Sequence, residues 1–204
     1  KRSYASAFVK IGKSTGVSPY HLAARCYQEQ GKGTSGSVTG TTEGYKNIFN
    51  YYNIGAYASG GNSPVVQGLK YASVTSANEA TNYSRPWNTR YKSLLGGAQF
   101  LAQKYIKAGQ NTLYFQKFNV VPAKKTMLYK HQYMTNIQAA ESEAIKMSNA
   151  YTAEDKNLVF YIPVYNQMPE AACAKPISDK NPNNYLATLE IEGQNLLPVF
   201  NPGP

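Results

Sequence analysis

The sequence has few of the residues that bind metal ions and no long apolar run. It contains two cysteines, Cys26 and Cys173, and two histidines, His21 and His131, whose positions match no spacing typical of a metal site. We therefore predict no metal and no cofactor. Cys26 lies in a helical pattern where it would pack as a small apolar side chain, although a disulfide with Cys173 stays open. No apolar run approaches the roughly 20 residues that span a bilayer, so we expect a soluble module with no membrane partner.

Acidic residues are also scarce, and the charge balance limits the partners that the protein can have. The sequence has 21 lysines and arginines against 11 acidic residues, which gives a formal net charge of +10. A charge of this size favours polyanionic partners through long-range steering. The basic residues form neither a basic amphipathic helix nor a zinc-finger spacing, so we expect no nucleic-acid partner.

The first three quarters of the sequence have the apolar spacing of amphipathic helices. Ser18 and Pro19 supply an N-cap and a first-turn proline, and Gly31 offers a left-handed cap at the other end. Asn88 is expected to cap a long central helix that Gly109 ends. These patterns predict helices over residues 3–15, 19–30, 64–72, 89–108 and 136–151.

Other segments lack this helical spacing. Residues 31–44 are Gly, Ser and Thr with almost nothing to bury, which predicts a mobile surface loop. Residues 158–164 alternate loosely and form either a strand or an extended closing segment, while residues 185–193 alternate like a half-exposed strand. We therefore predict one domain over residues 1–180. Residues 181–204 are then an extension, either a closing hairpin or the start of a following β-module.

Three acidic side chains precede residue 140, and these are Glu29, Glu43 and Glu79. Glu29 follows Leu22 by seven positions and Cys26 by three, so it shares the buried face of its helix. Burial and the partial negative charge of the helix C-terminus both raise the pKa of a carboxyl. A carboxyl that keeps its proton suits a general acid, as glycoside hydrolysis requires. The alternative is an ordinary surface glutamate in a final helical turn.

Three ordered segments of the chain resemble one enzyme family. Residues 18–31 (SPYHLAARCYQEQG) resemble the catalytic helix of the glycoside hydrolase family 73 glucosaminidases. Residues 50–57 (NYYNIGAY) resemble the family's aromatic substrate-groove segment. Residues 114–121 (YFQKFNVV), followed by 131–136 (HQYMTN), are similar to its downstream signature. The likeness covers about residues 3–165 and is strongest to the clostridial cell-wall autolysins.

The resemblance implies a mainly α (α+β) fold, with a lysozyme-like helical lobe and a small irregular or β second lobe. It implies a secreted or cell-wall enzyme that cleaves peptidoglycan glycan strands at the β-1,4 bond on the reducing side of N-acetylglucosamine. The positive charge then points to weak attraction to anionic wall polymers, and a monomer is the expected state. A lytic transglycosylase and a non-catalytic wall-binding module stay as alternatives.

The resemblance also implies catalytic residues. Glu29 matches the general acid of the family. Glu43 is the candidate for the second carboxylate, because it is the acid in the loop after the catalytic helix, and Glu79 is the alternative. If neither serves, the N-acetyl group of the substrate could supply the nucleophile, with the Tyr114 hydroxyl orienting it. The stereochemical outcome stays open.

The same motifs supply candidate substrate-binding residues. Aromatic rings pack on the C–H faces of pyranose rings while phenol hydroxyls bond sugar oxygens, and amide side chains can bond the N-acetyl group. The candidates are Tyr51, Tyr52, Asn53, Tyr57, Gln116, Phe118 and Tyr133. For each aromatic the alternative is a core position, and Asn53 could equally fix a turn through its own side chain.

Overall fold

The computed structural model describes residues 3–31, 33–75, 78–121, 127–134, 136–151 and 159–171, with the side chains of Glu79 and Ala80 outside this description. The described residues are mainly helical. In chain order the helices are α1 (Tyr4–Thr15), α2 (Pro19–Gln30), α3 (Gly36–Thr39), α4 (Pro64–Ser73), α5 (Glu79–Asn82), α6 (Arg90–Leu101), a π-helical segment (Ala102–Ile106), α7 (Leu113–Phe118) and α8 (Ala139–Ser148). Within the described residues β structure is limited to one isolated antiparallel bridge, between Ser59 and Asn62.

The first two helices begin and end close to the predicted residues. Helix α1 ends at Gly16, whose φ of 73° is left-handed and whose N–H donates to the Gly12 carbonyl. Helix α2 has Pro19 in its first turn, but the Ser18 hydroxyl makes no capping hydrogen bond. Gly31 ends α2 with a φ of 52° and a ψ of −115°, so it is not the left-handed helical cap that we predicted. Its N–H still donates to the Tyr27 carbonyl.

The later helices differ from the prediction at their ends. The hydroxyl of Thr89, and not Asn88, caps α6 by accepting from the Lys92 N–H. The predicted central helix changes to π-helical geometry after Leu101. Helix α8 is shorter at both ends than the predicted span of residues 136–151.

Two segments without helical spacing also differ from expectation. The predicted surface loop after α2 contains the short helix α3, in which Ser37 and Val38 are buried. The Ser37 carbonyl accepts from the Asn50 N–H at 2.6 Å, which ties α3 to the core. Residues 159–164 form no strand. The predicted strand over residues 185–193 lies outside the described residues.

The core lies between α1, α2 and α6, and two adjacent glycines on α6 allow close packing there. A Cβ at Gly97 would lie 2.0 Å from Tyr52 Cδ2, and one at Gly96 would lie 2.1 Å from Trp87 Nε1. Trp87 and Tyr52 are therefore seated directly on the α6 backbone. Helix α8 packs against α2 and α7, which places it behind the C-terminal half of α2.

The chain divides into two compact units, residues 1–161 and 162–204. All the described helices belong to the first unit. The second unit is described only over residues 162–171, which contain no helix or strand. The predicted boundary after residue 180 and Cys173 both lie outside the described residues. In the part of the chain that the structure describes, no helix has the length and apolar character needed to cross a bilayer.

Candidate active site

Glu29 lies half-buried in the last turn of α2. Burial raises the pKa of its carboxyl, and the Asn53 amide and the Arg25 guanidinium oppose that rise. The net shift is upward from the 4.5 of an unperturbed glutamate. The predicted general acid therefore sits where the proton is held more tightly than in water.

Asn53 is fixed beside this carboxyl by the end of α2. Its Nδ2 donates to Glu29 Oε2 and to the Glu29 carbonyl oxygen, both at 3.1 Å. Its Oδ1 accepts from Gln30 Nε2 at 3.0 Å, and Gln30 also donates to the carbonyls of Asn50 and Tyr51. Asn53 has a φ of 49°, a left-handed conformation that asparagine adopts more readily than most residues. The structure thus brings together two residues that the sequence predicted in separate motifs.

A buried charge network lies one helical turn behind Glu29, and sequence reasoning missed it. Arg25 Nε donates to Glu143 Oε1 at 2.5 Å, and both side chains are 0% exposed. Arg25 Nη2 donates to Gln116 Oε1 at 2.8 Å, and its guanidinium lies 3.8 Å from the centre of the Tyr133 ring. The signal in the sequence is an arginine four positions before Glu29 on the buried helix face.

Tyr133 connects this network to the backbone of the groove segment. Its hydroxyl donates to the Tyr52 carbonyl at 3.3 Å, and its ring packs edge-on against Tyr105, in the π-helical segment, at 5.1 Å. Tyr105 stacks in turn on His131 at 4.5 Å. Burial raises the pKa of the Tyr133 phenol; the Arg25 guanidinium opposes that rise, and the nearby Glu29 carboxyl adds to it. The neutral phenol therefore stands close to the candidate acid.

Three of the predicted substrate-binding residues are buried in the protein. Tyr52 and Gln116 are each 1% exposed, and Tyr51 is buried with its hydroxyl bonded to Tyr4 at 2.7 Å and Arg90 at 3.0 Å. Their side chains offer no surface to a sugar in this conformation. The role of these three residues in substrate binding stays a prediction.

Other predicted residues present aromatic surface to solvent. Tyr57 is 66% exposed and Tyr114 is 39% exposed. Phe118 is half-buried and packs against Tyr114 with ring centres 4.7 Å apart. Tyr57, Tyr114 and Phe118 can therefore meet a ligand without rearrangement of the core.

Glu43, the candidate second carboxylate, is exposed in the loop after α3. No hydrogen bond or ion pair joins its side chain to Glu29 within the described part of the chain. The side chain of Glu79, the alternative, is outside the described structure. In the described residues the acid that lies close to Glu29 is instead Glu143, whose pKa is also raised, chiefly by burial, while the Arg25 guanidinium opposes that rise.

Two cavities lie along α6, away from this site. One of about 240 Å³ is lined by Asn82, Tyr83, Ser84, Gln99 and Gln103. The other, of about 420 Å³, lies between α1 and the π-helical segment and includes Lys10, Tyr91 and Lys107. Neither cavity is lined by Glu29 or Asn53. The candidate site is therefore identified from the Glu29 carboxyl and its hydrogen bonds, and not from a cavity.

The chain is similar to known cell-wall enzymes, although no family model matches it. It is 30% identical over 165 residues to a β-N-acetylglucosaminidase of Bacillus subtilis, covering 79% of this chain and 16% of that protein. It is 31% identical over 169 residues to a bifunctional autolysin of Staphylococcus epidermidis, covering 78% of this chain and 11% of that protein. The chain thus spans a small part of the length of these curated relatives.

Solved structures agree with these relatives. The crystal structure of Staphylococcus aureus autolysin E is 26% identical and has a TM-score of 0.52, covering 71% of this chain and 56% of that one. Autolysin E has also been solved in complex with a muropeptide. The predicted mainly α, lysozyme-like fold is confirmed. These similarities, which cover more than two thirds of this chain, are consistent with the glucosaminidases of glycoside hydrolase family 73, which its three sequence motifs resemble.

Proposed function

We propose that this chain hydrolyses the glycan strands of peptidoglycan at the β-1,4 bond on the reducing side of N-acetylglucosamine, with Glu29 as the general acid. The observation that carries the proposal is the half-buried Glu29 carboxyl, whose pKa is raised and whose oxygen is held by Asn53. The relatives that share the family are named for this activity or for autolysis. The glycosidic oxygen is a poor leaving group unless it is protonated as the bond breaks. Glu29 supplies that proton.

Product analysis tests the reaction type. We expect mass spectrometry of digested walls to show muropeptides with a reducing-end N-acetylglucosamine. Anhydromuramic ends would identify a lytic transglycosylase. Sedimentation with insoluble walls without release of soluble fragments would identify a wall-binding module.

Cleavage of the glycosidic bond needs, besides the general acid, either a second carboxylate or the N-acetyl group of the substrate at the anomeric carbon. Glu43 is exposed, and no hydrogen bond joins it to Glu29 among the described residues. We therefore infer that the N-acetyl oxygen, and not Glu43, attacks the anomeric carbon. Retention of the β configuration then follows, because a second displacement by water restores the original face. Tyr114, exposed beside Phe118, is the phenol that we propose to orient the N-acetyl group.

Glu43→Gln tests this inference. We expect the variant to keep its activity within about 10-fold of the wild type, since a base that activated water would contribute about 10²-fold or more. Turbidity loss of purified walls measures the rate, and NMR of the first product measures the anomeric configuration. A loss of about 10³-fold with inverted product would assign Glu43 as the general base.

The substrate groove is expected to use the exposed aromatics together with the residues that border Glu29. We propose that Tyr57, Tyr114 and Phe118 pack against sugar rings, an arrangement that their exposed faces suit. Asn53 and Tyr133 lie at the reacting end of the groove, next to the carboxyl. A solvent-facing groove suits a long polymer better than an enclosed pocket would.

Asn53→Gly tests the link between the amide and the acid. Glycine keeps the positive φ of this position without strain and removes the hydrogen bond to Glu29. That bond favours the charged carboxylate, so its loss raises the pKa of Glu29. We expect the upper limb of the pH profile of kcat/KM to move to higher pH, and the maximal rate to fall about 10-fold as the carboxyl loses its orientation. A limb at lower pH would contradict the geometry.

We infer the wider setting from the family and the charge. The enzyme acts at the cell wall after secretion, and its net charge of +10 attracts anionic wall polymers weakly. We propose a monomer that needs neither metal nor cofactor. We also propose that the catalytic domain extends to about residue 180, with residues 181–204 as an extension.

A further inference from the structure

The buried ion pair behind Glu29 joins distant parts of the chain. Arg25 and Glu143 are 118 positions apart, yet their bonded atoms are 2.5 Å apart and neither side chain is exposed. Arg25 lies one helical turn before Glu29 on α2, so the guanidinium and the carboxyl project from the same face of the helix. A permanent positive charge therefore stands beneath the proposed acid.

The guanidinium is held by three elements and cannot easily be moved. It donates to Gln116 on α7 and to Glu143 on α8, and it lies against the ring of Tyr133. An arginine cannot lose its proton in a protein. The charge behind Glu29 is thus fixed in place and in sign.

An uncompensated charge at this position would work against the chemistry. A nearby cation favours the ionised form of a carboxyl and lowers its pKa, whereas a general acid must keep its proton. Arg25 does exert this effect on Glu29. Glu143 supplies the opposite charge at hydrogen-bond distance from Arg25. It also interacts electrostatically with Glu29.

Among the residues that the structure describes, the other titratable groups around the pair do not supply this compensation. Those that interact electrostatically with Arg25, other than Glu29 and Glu143, are His21, Cys26, Tyr52, Tyr105 and Tyr133. All of these are neutral near pH 7, since burial lowers the pKa of His21 to about 3 and raises the pKa of the thiol and the phenols. Lys146, one turn after Glu143 on α8, adds a further positive charge and bonds Gln28 Oε1.

We propose that Glu143 is a positioning residue for the reaction: it neutralises Arg25, so that the guanidinium can hold Gln116 and Tyr133 behind the cleft without drawing the proton from Glu29. This inference rests on the proposed function. Buried ion pairs are often no more stabilising than apolar side chains of the same volume. In this pair Arg25 Nη1 and Glu143 Oε2 also have no hydrogen-bond partner among the described residues, so stability alone accounts poorly for it.

Glu143→Gln tests the proposal, with Glu141→Gln as the matched control. Glu141 is on the same helix but exposed. Loss of the Glu143 charge should lower the pKa of Glu29 and move the upper limb of the pH profile of kcat/KM down by about 1 unit. Activity well below that limb should fall much less than activity at neutral pH. Glu141→Gln should leave the limb in place, and Glu143→Asp, which keeps the charge, should restore it. An unchanged limb in folded Glu143→Gln would overturn the proposal.

Two further measurements apply if Glu143→Gln does not fold. Arg25→Gln removes the positive charge, so the limb of its residual activity should move to higher pH; a move to lower pH would overturn the proposal. In the wild type, ¹³C NMR of labelled glutamate carboxyls should show Glu143 ionised at the pH of maximal activity, and a protonated Glu143 there would equally overturn it. The proposed function fails separately, through an active Glu29→Gln variant.

Discussion

Glu29→Gln is expected to reduce the release of muropeptides from purified walls by about 10³-fold, because glutamine cannot donate the proton that the leaving oxygen needs. The substitution keeps the size of the side chain and its ability to accept from Asn53. The measurement is the initial rate of soluble fragment release, at several pH values and at saturating substrate. Glu141→Gln, an exposed carboxyl on α8, is the control and should keep the wild-type rate.

The same variant should fold normally, which separates chemistry from structure. Burial raises the pKa of Glu29 in the folded protein, so the folded state binds this proton more tightly than the unfolded state. Stability is then lost as the pH rises through these pKa values. Glutamine carries no such cost, and we expect a thermal midpoint at pH 7 equal to or above that of the wild type. An active variant, or one that is inactive because it unfolds, would contradict the assignment.

Gly97→Ala is expected to lower the free energy of unfolding by about 3 kcal/mol, the upper part of the usual range for overpacking. The new methyl would lie 2.0 Å from Tyr52 Cδ2. Because the Tyr52 side chain is buried, its ring can move away only by displacing neighbouring core residues. The better helix propensity of alanine offsets only about 1 kcal/mol. Urea unfolding at constant pH measures the change.

The Gly97→Ala substitution should also change the geometry of the candidate active site. Tyr52 precedes Asn53 directly, and its carbonyl accepts from the Tyr133 hydroxyl. A displaced Tyr52 therefore shifts both residues that border Glu29, and we expect activity to fall at temperatures where the variant is still folded. Lys92→Ala, at an exposed position of α6, is the control for the helix. An unchanged unfolding midpoint in Gly97→Ala would show that the packing is looser than described.

The sequence predicted those parts of the fold that local signals determine. Apolar spacing together with Pro19 and Gly31 predicted both ends of α2 correctly. The choice of Glu29 as the candidate acid came from its position on the buried face of that helix. Capping was harder to assign, because Asn88 and Thr89 are adjacent and both can cap a helix. The structure uses Thr89.

The rest of the site depends on contacts between distant residues. Nothing in the sequence near Glu143 indicates that it pairs with Arg25, since the helix that carries it docks on α2 only in the folded chain. The burial of Tyr52 depends in the same way on Gly97, 45 positions later in the sequence. A motif can therefore identify an aromatic segment without showing which of its rings face the substrate and which face the core.

Direct titration of the Glu29 carboxyl by ¹³C NMR in the wild-type protein tests the central claim, with Glu29→Gln used to assign its signal. We predict a midpoint above the 4.5 of an unperturbed glutamate. It should coincide with the upper limb of the pH profile of kcat/KM, which reports the ionisation of the free enzyme. A midpoint at or below that ordinary value, or one unrelated to the fall in activity, would contradict the account.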